Sequence, residues 1–359
     1  MLYVSFISTS SKTRSVKRFS LFLSTLLFLV SVAVIGCKPD VKTPPAVVTV
    51  PEVPLVKRTI PVPAFSGDSA YSHVAAQVAM GPRYANTKAH EQVRAYITST
   101  LERYGAKVTV QDFKTKFYDG TSVTGYNIIG SYNPDSTKRV FLSAHYDTRP
   151  IADSPLADPK RYNEPILGAD DGGSGVGALL EIARLLHENP FPEMGVDLVF
   201  FDLEDNGNPE YSNESDTYSW ALGSQHWAKS PHVPGYSPKF GVLLDMVGAK
   251  DAVFGREGYS KYYAGQYQNK IWNLAKKMGQ GERFVDAEVS PVTDDHYFIN
   301  TIAGWPTVDI IYKPIGKDGG FGSHWHTHND NMDIISAETL QSVGQVVTAV
   351  VYREAGNML

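Results

Sequence analysis

Short apolar runs that end in polar residues constrain this chain more than any other feature. They are "YNIIGSY", "RVFLSAHYD", "VDLVFFDLED" and "GVLLDMVG". Segments of helical period lie around them. "TKAHEQVRAYITSTLERYG" puts Ala89, Val93, Ile97, Leu101 and Tyr104 on one face, and Gly105 is placed to stop the helix. Val176, Leu179, Leu180, Ala183 and Leu186 repeat the same spacing, "YYAGQYQNKIWNLAKKMG" and "SAETLQSVGQVVTAVVYREAG" read as further amphipathic helices, and "AKVTVQDF" alternates like a strand. Short buried strands between helices predict a mostly parallel sheet covered on both faces. Ligands of such sheets bind beyond the carboxyl ends of the strands. His145, Asp147, Glu204, Asp205 and Asp245 all fall there.

The first 36 residues carry an address. Lys12, Arg14, Lys17 and Arg18 precede the uncharged run "FSLFLSTLLFLVSVAVIG", residues 19–36. Hydropathy alone fits either a signal or a membrane span. "VIGC" followed by a polar tail resembles a bacterial lipobox, in which Cys37 would be lipidated and become the mature amino terminus, anchoring the protein to a membrane of the bacterial cell envelope on its periplasmic side. Lys38 after that cysteine resembles the outer-membrane-directed kind of lipoprotein. Cys37 is the only cysteine, so the domain has no internal disulfide. Prolines between Lys38 and Pro63 forbid regular helix and favour an extended tether. The expected organisation is thus a signal peptide over 1–36, a lipidated cysteine and tether over 37–63, and one domain over 64–359. With 42% hydrophobic residues in 359, the remainder suffices for one large core or two small ones. A net charge of −5 gives no footprint for nucleic acid.

The strand ends also read as chemistry. Asp147, two residues beyond His145, can orient its imidazole. Glu204 and Asp205 are neighbouring carboxylates that point differently, so one can bind a metal while the other handles a proton. Asp245 ends another run, and His324, His326 and His328 alternate in "SHWHTHND". In "GADDGGSG", Asp170 and Asp171 open a helix, where acids gain about 0.3–1 kcal/mol by capping; taken alone, that stretch reads as a cap. Together these ends deliver oxygen and imidazole donors without a usable thiolate, which suits Zn²⁺ in a catalytic site with an open position.

"AHYD", "GADDGGSG", the acidic pair after an apolar run, "LLDMVG" and "WHTHND" occur in the order seen in zinc-dependent aminopeptidases and their relatives, the glutaminyl-peptide cyclotransferases. The resemblance spans roughly residues 70–355. It implies a three-layer α/β/α sandwich with a central mixed, mainly parallel sheet. Trp325 before His326, and "TDDHYF", resemble the cyclase branch, in particular the animal-like type found in bacteria. Glu204-Asp205 stands where the animal enzymes carry two glutamates, and their cysteine pair is missing.

Carried over residue by residue, the resemblance implies Asp171, Asp205 and His326 as ligands of one Zn²⁺ per chain, with Asp170 left as a turn or cap residue. His145 and Asp245 match positions that bind a second zinc in aminopeptidases and support the site in cyclases. Glu204 would transfer protons, Asp294 would accept a hydrogen bond from the substrate, and Trp325 and Trp220 would wall the pocket. The implied reaction closes an amino-terminal glutamine of a peptide or protein into pyroglutamate with loss of ammonia. The alternatives are a dizinc aminopeptidase and a non-catalytic lipid-anchored binding protein.

Overall fold

Side chains along the central runs alternate between two apolar clusters. Val140, Leu142, Ala144, Val196, Leu198 and Phe200 join one, whereas Phe141, Val199 and Phe201 join the other. A strand with period two and both faces apolar must be covered on both sides, and helices provide the cover.

The structure, a computed structural model, describes residues 56–209, 216–316 and 320–359. The helices are α1 (Gly67–Ala79), α2 (Lys88–Arg103), α3 (Gly173–Glu188), α4 (Leu222–Lys229), α5 (Gly258–Lys277), α6 (Asp295–Phe298) and α7 (Ala337–Ala355). The strands are β1 (Lys107–Lys116), β2 (Ser122–Tyr132), β3 (Arg139–His145), β4 (Gly195–Phe201), β5 (Gly241–Asp245), β6 (Phe254–Glu257), β7 (Phe284–Val289) and β8 (Thr307–Ile311). Six strands form the main sheet in the order β1-β2-β4-β3-β5-β8. β4, β3, β5 and β8 run parallel, while β2 is antiparallel to both β1 and β4. This is the mixed, mainly parallel sheet between helices that the sequence predicts. Beyond that prediction, β6 and β7 pair in a small parallel sheet of their own.

Parallel alignment carries the ends of β3, β4, β5 and β8 to one edge, and α3 enters beneath them. Its first turn corrects the capping expectation. Gly172, not an acid, is the N-cap, with φ +81° and no side-chain bond. A Cβ there would stand 2.6 Å from the Asp147 carbonyl oxygen, and one on Gly175 would stand 2.2 Å from that of Leu244. Glycine lets the helix start press against the strand ends.

The leader, Cys37 and the tether up to residue 55 lie outside the described residues. From Val56 the chain already lies on the domain: the Arg58 N–H donates to the Gly356 carbonyl at 2.8 Å, and Asn357 Nδ2 donates to that of Val56 at 2.9 Å.

Candidate metal centre and pocket

Strand ends and loops converge on one cavity of about 410 Å³. Asp171, Glu204, Asp205, Trp220, Asp245, Asp294, Trp325 and His326 all line it; His145 and Asp147 stand behind. Two triads of donors meet there, each with ligand atoms within 4.8 Å of one another. In the first, His326 Nε2 is 3.0 Å from Asp205 Oδ1 and 3.7 Å from Asp171 Oδ2. In the second, His145 Nε2 is 3.0 Å from Asp171 Oδ1 and 3.3 Å from Asp245 Oδ1. Asp171 belongs to both.

Backbone geometry explains how neighbouring side chains on one turn diverge. Leu203 before Glu204, Ala221 after Trp220, Met246 after Asp245 and His326 itself all have φ between +48° and +58°. Such left-handed conformations are costly for residues other than glycine and cluster at functional sites. Here each redirects the chain beside a cavity residue.

Buried polar groups hold the turns. Asp147 does more than the sequence suggests. Its carboxylate accepts from the backbone N–H of Glu204 (3.0 Å) and Asp205 (3.1 Å) and from Asn206 Nδ2 (3.0 Å), while His145 Nδ1 lies 3.6 Å away. It therefore fixes the acidic pair at least as much as the imidazole. Asp330 does the same for the other acids, accepting from the N–H of Asp170 (2.7 Å) and Asp171 (3.1 Å). Asp170 turns away from both triads: it accepts from the Gly248 N–H at 2.7 Å and faces His324 Nε2 at 2.9 Å. Of the alternating histidines only His326 reaches the cavity acids, since His328 lies beside Glu164.

Three supporting residues escape sequence reasoning. Asp153 Oδ1 lies 2.8 Å from His326 Nδ1, leaving Nε2 to face the acids. Arg149 donates to Asp153 and to the carbonyls of Asp205 and Gly207, and its guanidinium lies 4.6 Å from the Trp220 ring centroid. Asp330 is the third. None sits in a periodic run; only the density of charged residues in loops otherwise free of helical or strand pattern signals them. The imidazole of His326 stacks on Trp325 at 3.7 Å, and Trp220 lies nearly parallel on it at 6.2 Å.

The crowding of acids has an electrostatic signature. Burial, then the charge of Asp171, pushes the Asp205 pKa up to about 6. Burial, with Asp294 and Asp171, pushes Asp245 up to about 8. Glu204 is held well above the ordinary range, chiefly by burial and then by Asp294 and Asp205, and burial also raises Asp294. Burial works against the imidazolium of His326, but Asp205 and Asp153 outweigh it, and the pKa rises to about 9.

A cation answers this arrangement. Asp205 Oδ2 is buried without a hydrogen-bond partner. Donor separations of 3.0 and 3.7 Å bracket the roughly 3.3 Å between ligands of a tetrahedral ion with bonds of about 2 Å. The carboxylate–imidazole set therefore fits a divalent metal, and Asp153 completes a carboxylate–histidine pair behind it.

Comparison with known proteins agrees with the geometry. A glutaminyl cyclase of Bacteroides thetaiotaomicron, solved with N-acetylhistamine bound, is 50% identical, with a TM-score of 0.79 over 81% of this chain and 99% of that one. A protein from the same species described as a leucine aminopeptidase precursor is 49% identical, with a TM-score of 0.78 over 82% and 99%. The glutaminyl-peptide cyclotransferase of Drosophila melanogaster is 26% identical over 287 residues, 74% of this chain and 75% of that protein. Residues 127–351, from within β2 to within α7, match peptidase family M28, and this chain belongs to that family.

Proposed function

We propose that this protein is a glutaminyl-peptide cyclotransferase, closing the amino-terminal glutamine of peptides and proteins into pyroglutamate. One observation carries the reading: Glu204 and Asp294, buried carboxylates outside the Asp171–Asp205–His326 triad, open into the same aromatic-walled cavity. Asp171, Asp205 and His326 would hold Zn²⁺, which when bound would supply a Lewis acid toward the γ-carbonyl of the glutamine. Glu204 takes a proton from the α-amine as its nitrogen bonds to the γ-carbon, and returns it to the amide nitrogen that leaves as ammonia. Its raised pKa suits both tasks. Asp294 Oδ2 is buried without a partner and accepts a hydrogen bond from the substrate. Trp325 and Trp220 confine the folded-back side chain, so amine and carbonyl meet without a protein nucleophile. His145 and Asp245 support Asp171 from behind.

The second donor set, His145, Asp171 and Asp245, favours a different reading, a two-metal aminopeptidase. Purified, zinc-loaded protein incubated with a glutaminyl peptide separates the two. We expect one zinc per chain, loss of ammonia by mass spectrometry and no released amino acid. Glu204→Gln should keep its zinc while kcat falls by roughly 10²–10⁴. Two zincs with stepwise trimming would establish the peptidase instead.

The basic residues before the uncharged run 19–36, and Cys37 after it, support anchoring by a lipid on Cys37 in the bacterial cell envelope, facing the periplasm.

A further inference from the structure

Lys313 lies two residues beyond β8 and is the one lysine or arginine among the described residues lining the cavity. The residue is 5% exposed, yet its ammonium makes no hydrogen bond or ion pair among the described residues. Its contact is with the face of Phe321, 4.5 Å from the ring centroid, and that ring packs on Trp325 at 4.5 Å. The ammonium is not sealed from the cavity, and no carboxylate among the described residues pairs with it, so it is free to meet an anion brought by a ligand. The rest of the cavity is acidic: Asp171, Glu204, Asp205, Asp216, Asp245 and Asp294 line it.

Granting the cyclotransferase reading, the first residue of the substrate offers Lys313 nothing. Its α-amine belongs with Glu204, and its neutral γ-amide with the metal triad and Asp294. The chain then has to leave through the same cavity, past the remaining lining residues. We propose that Lys313 is a specificity residue that binds the side-chain carboxylate of an Asp or Glu following the amino-terminal glutamine. That ion pair would bring acidic peptides into a cavity that otherwise repels them, and burial against Phe321 strengthens it by keeping water away. Burial draws the lysine pKa down in the free protein, and an arriving carboxylate would offset that by favouring the ammonium form.

The test compares Gln-Glu-Ala, Gln-Ala-Ala and Gln-Lys-Ala on the zinc-loaded full chain. Wild-type protein should favour the acidic over the basic peptide about tenfold in kcat/KM, with the difference in KM, as for a hydrogen bond to a charged group. Lys313→Met should abolish the preference for the acidic peptide or turn it toward the basic one, and Lys313→Arg should restore most of it. A wild type indifferent to the second residue overturns the inference. So does a Lys313→Met protein that loses all three substrates equally, since a main-chain carbonyl or simple packing would then be what Lys313 serves. Calorimetric binding of the same peptides to Glu204→Gln protein reads the preference without turnover. Acid-selective binding by a chain that never cyclises its peptides would sustain this site and overturn the activity.

Discussion

His326 shows how much support one side chain receives. Asp153 faces Nδ1, Trp325 covers one ring face, Trp220 lies parallel at longer range, and its own backbone sits at φ +53°. Only Nε2 is left to the cavity. Asp153 is in turn held by Arg149 through both carboxylate oxygens. Partners of this kind are worth 10–100-fold in metal affinity. Asp153→Asn should therefore weaken zinc binding by roughly that factor in a chelator competition, while Glu204, which it does not touch, keeps its role. Unchanged affinity in the variant would show that the tryptophans and backbone suffice to aim the ring. The residue pattern in the sequence exposes His326 because it stands in a motif, "WHTHND". Asp153 is silent there: the contact joins residues 173 positions apart through loops of no repeating pattern.

Among the elements, α5 depends on a single carboxylate. Glu257 caps it by accepting from the N–H groups of Tyr259 (2.8 Å) and Ser260 (2.6 Å), and also accepts from Val292 N–H and faces His296 Nε2 at 3.0 Å. Burial opposes its charge, but His296 and Ser260 outweigh burial and bring its pKa from 4.5 down to about 2. The unfolded chain thus takes up this proton first as acid is added. The stabilisation is complete above about pH 4.5 and is lost as pH falls through the window to about 2. A displacement of that size corresponds to about 3 kcal/mol. Glu257→Gln should lower the melting temperature at pH 7, and its curve should converge on that of the wild type near pH 2; parallel curves would mean the carboxylate contributes only shape. Elements of strong period were legible beforehand: α2, α3, α5, α7 and the strands that end at His145, Phe201 and Asp245. α6 and the β6–β7 pair were not. Four residues of α6 and four of β6 are too short to show a period, and β7 alternates between half-buried and exposed positions, with only its two end residues buried. Glu257, at the junction of β6 and α5, went unread with them.

At the scale of the whole molecule, the envelope reading rests on Cys37. If the lipid is attached there, Cys37→Ala should yield an unprocessed precursor without diacylglyceryl label, while the purified domain keeps its turnover. Wild-type protein recovered unlabelled and soluble would remove the anchor and leave the catalytic reading intact. A different consequence follows from the four left-handed residues, Leu203, Ala221, Met246 and His326. Each stores on the order of 1 kcal/mol or more in its backbone, and together they ring the cavity on segments far apart in the chain. A lineage under pressure to survive heat would find its one cheap gain at Ala221, by exchange for glycine, since trimming the buried Leu203 or Met246 would cost more packing than the relieved strain returns, and exchanging His326 would delete the imidazole. That exchange would also free the Trp220 indole beside it to drift from its aim. Heat tolerance and reaction rate therefore pull against each other at a single address, and the core of the sheet is a bystander in that contest.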